Sequence, residues 1–101
     1  MVTLKSTGQP SQKVEGDIIA AVEHPYYIGI TGRAQHVKLI RLFDSNYAIT
    51  LHTFTCRPGE RDTDDYLIGA TIDQCIDWLR DRTSANIIDR LLVQTEYVRR
   101  L

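Results

Sequence analysis

The chain has few cysteines, and this scarcity excludes the classes of protein that depend on them. Cys56 and Cys75 are the two that it contains. A secreted disulfide scaffold of this length usually carries several more. Their spacing matches neither a Cys-x-x-Cys pair nor a common zinc pattern. We expect Cys75 to be a small core residue on a helix and Cys56 to lie near the end of a strand.

Long apolar runs and an N-terminal leader are also missing from the sequence. No apolar stretch approaches the ~20 residues of a membrane-spanning helix. The N-terminal residues lack a charged region followed by an apolar run, so no signal peptide is expected. We therefore expect a cytoplasmic protein, of a cell or of an infected host, with no membrane partner.

The chain has almost no net charge. Its formal net charge is −1 and its pI is about 6.3, which predicts no general attraction to nucleic acid or to an anionic membrane. Its 101 residues, 43% of them hydrophobic, fit one domain with one modest core. Residues 5–13 contain no apolar side chain. We expect a flexible N-terminal arm over residues 1–13 and a single α+β domain over residues 14–101.

Alternating apolar residues in the first half of the chain predict an antiparallel β-meander of three or four strands. Its clearest pair is residues 36–43 and 47–54, joined by a loop at residues 44–46. The loop predicts the register: Phe43 pairs with Tyr47, Leu39 with Ile49 or Leu51, and Val37 lies near Thr53. One face of the pair is then apolar. The other face is half apolar, and we expect something to cover part of it.

Two helices are predicted after the strands. Thr71 and Gln74 match a capping box at the start of the first helix. An apolar stripe follows at helical spacing, formed by Ile72, Cys75, Ile76 and Leu79. A second helix has a broad apolar face over residues 87–98, although this segment also fits a strand. The predicted fold class is therefore α+β: a β-meander of three to four strands followed by two helices packed on one face.

The sequence lacks the motifs of common catalytic and cofactor-binding sites. It has no Gly-x-Ser-x-Gly nucleophile elbow and no glycine-rich phosphate loop. No nucleophile, general base and oxyanion hole can be assembled from it. We therefore expect a non-enzymatic protein with no cofactor.

One tripeptide resembles an enzyme motif. Tyr27-Ile28-Gly29 is similar to the second motif of the nucleases named for paired Gly-Ile-Tyr and Tyr-Ile-Gly motifs (GIY-YIG). The resemblance implies a catalytic tyrosine from each motif, an arginine on the next helix and a later metal-binding glutamate. Gly16-Asp17-Ile18 stands where the first motif is expected and holds no tyrosine, and residues 36–43 alternate like a strand where the helix is expected. A GIY-YIG-like nuclease is therefore a remote alternative.

His36, His52 and Cys56 share one face of the predicted strands, with the two histidines within diagonal reach of each other. Neutral imidazoles and a thiolate are zinc ligands. Because no recognised metal spacing accompanies them, we expect partly exposed histidines and no metal, with convergence on zinc as the alternative.

Acidic residues are concentrated in one segment of the chain. Residues 60–81 hold seven Asp and Glu against two Arg, a local charge of −5, whereas the segments on either side each carry +2. Three of the aspartates follow each other at a spacing of four residues and so form a column along the first helix. The candidate binding residues are Asp62, Asp64, Asp65, Asp73, Asp77 and Asp81.

These aspartates predict a small protein-binding module (an adaptor, subunit or inhibitor) that docks a basic partner through an acidic loop-helix surface. A solvated helix face is the simpler interpretation of the same charges. The alternative function is nucleic-acid binding through Arg82, Arg90, Arg99 and Arg100 together with the arm. Residues 13–22 also read as an edge strand, which permits a homo-oligomer formed by sheet extension.

Overall fold

The computed structural model of the chain describes residues 1–23, 33–55 and 58–99, and these form six strands followed by two helices. The elements are β1 (Val2–Leu4), β2 (Gln12–Val14), β3 (Gly16–Glu23), β4 (Arg33–Leu42), β5 (Tyr47–Thr55), β6 (Thr63–Ala70), α1 (Ile72–Arg80) and α2 (Ala85–Arg99). Strands β3 to β6 form a four-stranded antiparallel sheet in chain order, and β1 and β2 form a separate antiparallel pair. The predicted α+β class, a meander followed by two helices, is confirmed.

The turn between β4 and β5 begins one residue earlier than predicted. The backbone N–H of Leu42 donates to the carbonyl of Asn46 at 2.8 Å, which closes a loop at residues 43–45. Ser45 has a φ of 69°, the left-handed residue that ends such three-residue hairpin loops. Arg41 therefore lies opposite Tyr47, and Phe43 sits in the loop with 78% of its surface exposed.

The register differs from the predicted one by two residues, so each side chain keeps its predicted face. Leu39 lies opposite Ile49, which is one of the two predicted partners. Val37 lies opposite Leu51 and not beside Thr53. The apolar face therefore contains the predicted residues, although they pair across the two strands in a different register.

Both helices pack on that apolar face. Thr71 and Gln74 form the predicted capping box, with both hydrogen bonds present, and the predicted stripe of α1 is buried. In α2, Ile87, Ile88 and Leu91 are buried against the same core, so this segment is a helix and not a strand. The core comprises these helix residues together with Ala20, Val22, Val37, Leu39, Ile49, Leu51 and Ala70 of the sheet. Among the described residues, no helix is long and apolar enough to cross a membrane.

The opposite face of the sheet is covered at one end by the β1–β2 hairpin. Leu4 is fully buried there against Ile40 and Ala48, and Val2 and Val14 pack around them. Strand β1 and most of β2 thus form within residues 1–13, where a flexible arm is expected from the sequence. The reason is that the apolar residues at positions 2, 4 and 14 flank the polar segment and meet only when its two ends pair. The expected cover over this half-apolar face is the N-terminal segment itself.

Strand β6 begins inside the polar stretch of residues 56–65, which forms the loop part of the predicted acidic loop-helix surface. Its first residues, Thr63, Asp64 and Asp65, pair with Thr53, His52 and Leu51 of β5. At the other end, the register shifts by one residue beside Gly69, whose φ of 75° suits a glycine bulge. Two of the candidate aspartates therefore lie on a strand, where neighbouring side chains point to opposite faces.

A side chain blocks the outer edge of β3 at its centre. Gln94 of α2 donates its amide to the carbonyl of Ala21 at 2.8 Å and accepts from the N–H of Ala21 at 2.9 Å. These are the backbone groups that another strand would need for sheet extension. The edge proposed for a homo-oligomer is therefore occupied at Ala21.

Candidate functional site

The β1–β2 hairpin covers one end of its face of the sheet and leaves the other end open. At this open end, a row of polar residues crosses three strands. His36 of β4 lies directly opposite His52 of β5, which lies directly opposite Asp64 of β6. In the next row towards the hairpin, Lys38 lies opposite Thr50. The side chains under the hairpin are apolar, and those at the open end of the same face are polar. The side chains that could bind a ligand or act chemically therefore lie in these two rows.

His52 is held in place from both sides. Its Nδ1 lies 2.5 Å from Oδ1 of Asp64, and because an ionised carboxylate only accepts, the imidazole donates. Its Nε2 lies 3.9 Å from the carboxylate of Asp62. The ring of Phe54 lies nearly perpendicular to the ring of His52, with centroids 4.1 Å apart, and steeply inclined to that of His36, with centroids 4.7 Å apart. These contacts fix the position and orientation of the ring.

A cleft of about 310 Å³ separates the hairpin from this part of the sheet. Two lysines, Lys5 and Lys38, line it together with both histidines. The remaining lining residues are Val2, Thr3, Ile18, Ile40, Thr50, Leu51, Asp64 and Asp65. The cleft is therefore rich in hydrogen-bond donors and can hold a small polar ligand.

The six candidate aspartates do not share one surface. Asp62 and Asp64 lie on the hairpin side of the sheet, where Asp62 accepts from the backbone N–H of Thr55 at 3.0 Å. Asp65 borders the cleft, but its carboxylate lies towards the helix side, 3.9 Å from Arg82. The loop-strand aspartates are thus divided between the two faces, as the alternation along β6 requires.

The other three aspartates remain together on α1. Asp73, Asp77 and Asp81 are exposed, on the side of the helix away from its buried stripe. Asp77 accepts a hydrogen bond from Arg80 at 3.3 Å, and its side chain is 77% exposed. Asp81 is the C-cap residue of α1. We call Asp73, Asp77 and Asp81 the α1 aspartate column.

The arginines proposed for nucleic-acid binding are separated in the part that the structure describes. Arg82 stacks over the ring of Trp78, 4.4 Å from the centroid, and donates to the carbonyl of Trp78 at 2.7 Å. It also lies beside Asp65 of β6, at one edge of the sheet. Arg90 lies beside β3, at the other edge. The side chains of Arg99 and Arg100 lie outside the described residues.

Two sequence predictions involve residues outside the part of the chain that the structure describes. The zinc alternative places Cys56 beside His36 and His52, and Cys56 lies outside the described residues. The nuclease-like tripeptide, residues 27–29, lies outside them as well. Where those nucleases have a helix after the motif, this chain has strand β4, as the sequence predicted.

Cys75 is buried in the core on the inner side of α1. Desolvation by burial raises the pKa of its thiol from 9.0 to about 11. The neutral thiol is therefore the stable form at ordinary pH, and Cys75 is a core residue, as expected from the sequence.

The sequence predicts that His36, Lys38 and His52 share one face. It does not place Asp64 and Lys5 beside them in the cleft. Asp64 was assigned to a loop because residues 56–65 are almost entirely polar. Lys5 was assigned to the flexible arm. The available signal for an additional strand was the presence of the β-branched and aromatic residues Thr63, Tyr66 and Ile68.

No protein-family model, curated protein or solved structure matches this chain.

Proposed function

We propose that this protein is a non-enzymatic binding module that docks a basic protein partner through the α1 aspartate column. The observation that carries the proposal is the exposure of three aspartates in line on one helix, with no apolar cover over them among the described residues. Asp62 and Asp64 are excluded from the docking surface because they are engaged around His52.

Repulsion within the α1 aspartate column destabilises the helix, but only slightly. Like charges four residues apart each destabilise a helix by about 0.2–0.5 kcal/mol. Asp81 adds to this cost because it lies at the negative end of the helix dipole. The capping box and four buried side chains stabilise α1 despite this repulsion. A basic partner would relieve it, and complementary charge of this kind accelerates encounter and fixes orientation.

Trp78 adds an apolar element next to the column. It lies partly buried at the margin of the core, and Arg82 covers its ring. Tryptophan is frequent at the centres of protein interfaces because its large ring offers much contact area. A partner that displaces Arg82 from Trp78 would gain both an apolar contact and access to the aspartates.

The test is a capture experiment with charge-reversed variants. The tagged wild-type chain and the variant Asp77→Lys with Asp81→Lys are incubated with native lysate, with and without nuclease, and bound proteins are identified by mass spectrometry. We expect a stoichiometric basic protein that survives nuclease treatment and is lost from the variant. Its purified form should then bind with an affinity that falls as salt is raised.

The matched control reverses two exposed aspartates elsewhere, Asp17 on β3 and Asp89 on α2. This variant has the same net charge as the test variant and should retain the partner. Equal loss from both variants would mean a general charge effect and would contradict docking at the column. Equal retention by both would remove the column from the binding surface.

A further inference from the structure

Lys38 occupies an unusual position for a lysine. It is half-buried on β4, a central strand of the sheet, and its side chain lines the cleft under the hairpin. Among the described residues, its ammonium group has neither an ion pair nor a hydrogen bond. An ammonium group without a partner in the protein can donate up to three hydrogen bonds to a ligand. An anion bound in the cleft would supply the missing partner.

The other polar groups of the cleft add to this preference. Lys5 contributes a second ammonium group from the hairpin side, and His36 is the neighbour of Lys38 on the same strand face. The carboxylate of Asp64 is engaged by His52, and that of Asp65 lies beside Arg82 on the helix side. Because the hydrogen bond from His52 does not remove the charge of Asp64, the groups that face the cleft are two ammonium groups and one carboxylate, an excess of one positive charge.

The hairpin holds its side of the cleft in place at two points. On one side of Lys5, Leu4 is fully buried in the small core. On the other side, Thr7 is tied to β6, because its N–H donates to the carbonyl of Asp64 at 2.8 Å and its hydroxyl accepts from the N–H of Asp64 at 2.7 Å. The backbone that carries Lys5 is thus anchored before any ligand enters, which lowers the entropic cost of binding.

We propose that this cleft binds a phosphate group carried by a small molecule. Two ammonium groups match the double charge of a phosphate better than the single charge of a carboxylate. The hydroxyls of Thr3 and Thr50, which also line the cleft, can donate to further phosphate oxygens. A volume of about 310 Å³ is at the lower end of the range for small-molecule sites and suits a ligand of mononucleotide size. This site lies on the opposite face of the sheet from α1 and is independent of the proposed partner docking.

The test is a titration of the full chain with inorganic phosphate and, separately, with adenosine monophosphate, at constant ionic strength set with chloride. Binding is followed by NMR through the backbone amides. We expect saturable shifts that centre on Lys38, Thr50 and His52. Lys38→Gln should weaken binding by about tenfold or more, as loss of a charged hydrogen bond does. Lys5→Gln, which changes an exposed side chain, should weaken it in the same direction.

Arg41→Gln is the matched control, because Arg41 lies on the same strand, is exposed and does not line the cleft. It removes one positive charge and should leave the affinity unchanged. The circular dichroism spectrum of each variant checks the fold, and Lys5→Gln tests the site even if Lys38→Gln unfolds.

Equal affinity for both probes would support a site for the phosphate group alone. Tighter binding of the nucleotide would support a ligand that extends from the phosphate along His36 and Phe54. Three outcomes would overturn the proposal. They are no saturable binding of either probe, equal weakening by Arg41→Gln, and binding of a single-stranded oligonucleotide without binding of either small probe.

Discussion

Cys75 illustrates how position in the fold sets the chemistry of a single residue. Its thiol is buried in the core, and the folded state binds its proton more tightly than the unfolded state because the thiolate would be desolvated. The raised pKa therefore contributes stability that is fully present below about pH 9 and is lost as the pH rises through about 11. Within the physiological range, this residue is an inert core side chain.

We expect Cys75 to react slowly with iodoacetamide in the native protein. At pH 8, a pKa of about 11 in place of 9.0 lowers the thiolate fraction by about a hundredfold, and burial also hinders access. The measurement is the alkylation rate of the Cys56→Ser variant, in which Cys75 is the remaining thiol, in buffer and in urea. Equal rates in the two conditions would show that Cys75 is accessible and would contradict its burial.

At the scale of elements, the contact between α2 and β3 does more than bury apolar surface. The paired hydrogen bonds of Gln94 with Ala21 replace those of an adjacent strand. Natural sheets often protect an edge strand in a comparable way, because exposed N–H and C=O groups promote pairing with other chains. A single side chain thus ties the helix to the sheet and discourages sheet extension.

Gln94→Ala should lower the free energy of unfolding by about 1–2 kcal/mol, since two hydrogen bonds to a half-buried strand are lost. It should also increase self-association, because the edge of β3 becomes free at Ala21. Urea denaturation measures the first effect and analytical ultracentrifugation the second. The control is Val93→Ala on the same helix, where the side chain is 72% exposed and little change is expected. A Gln94→Ala variant as stable and as monomeric as the wild type would contradict the role of this contact.

At the scale of the whole molecule, the four-stranded sheet separates two apolar clusters of the described residues. The larger one lies under the helices, and the smaller one lies under the hairpin around Leu4. Both clusters use neighbouring residues of β4, since Leu39 faces the helices and Ile40 faces the hairpin. Loss of either cluster should therefore destabilise the sheet as a unit, and unfolding should be cooperative across both faces.

Leu4→Ala should lower the free energy of unfolding by about 2–4 kcal/mol, the usual cost of removing a fully buried leucine side chain. Urea denaturation is followed by the fluorescence of Trp78, which lies on the helix side of the sheet and does not contact the hairpin cluster. The control is Phe43→Ala, because Phe43 is 78% exposed and its removal should have little effect. An unchanged Trp78 transition in Leu4→Ala would mean that the hairpin folds and unfolds independently.

The predictions that held depended on signals that are local in the chain. Thr71 and Gln74 are three residues apart, and the stripe of α1 repeats within nine residues, so the helix is specified by its own segment. The faces of β4 and β5 follow from alternation, which tolerates a register error of two residues. For this reason the apolar face was predicted correctly, although the loop was placed one residue late.

What the sequence by itself determined is the order of the meander and the helices, the stripe of α1 and the face on which His36, Lys38 and His52 lie. The tertiary structure alone decided the docking of Leu4 and the pairing of His52 with Asp64. Each of these depends on segments far apart in the chain, such as Thr7 and Asp64, which are 57 residues apart. No periodicity within one segment encodes such a contact, because it becomes favourable only when both segments are already held by the same sheet.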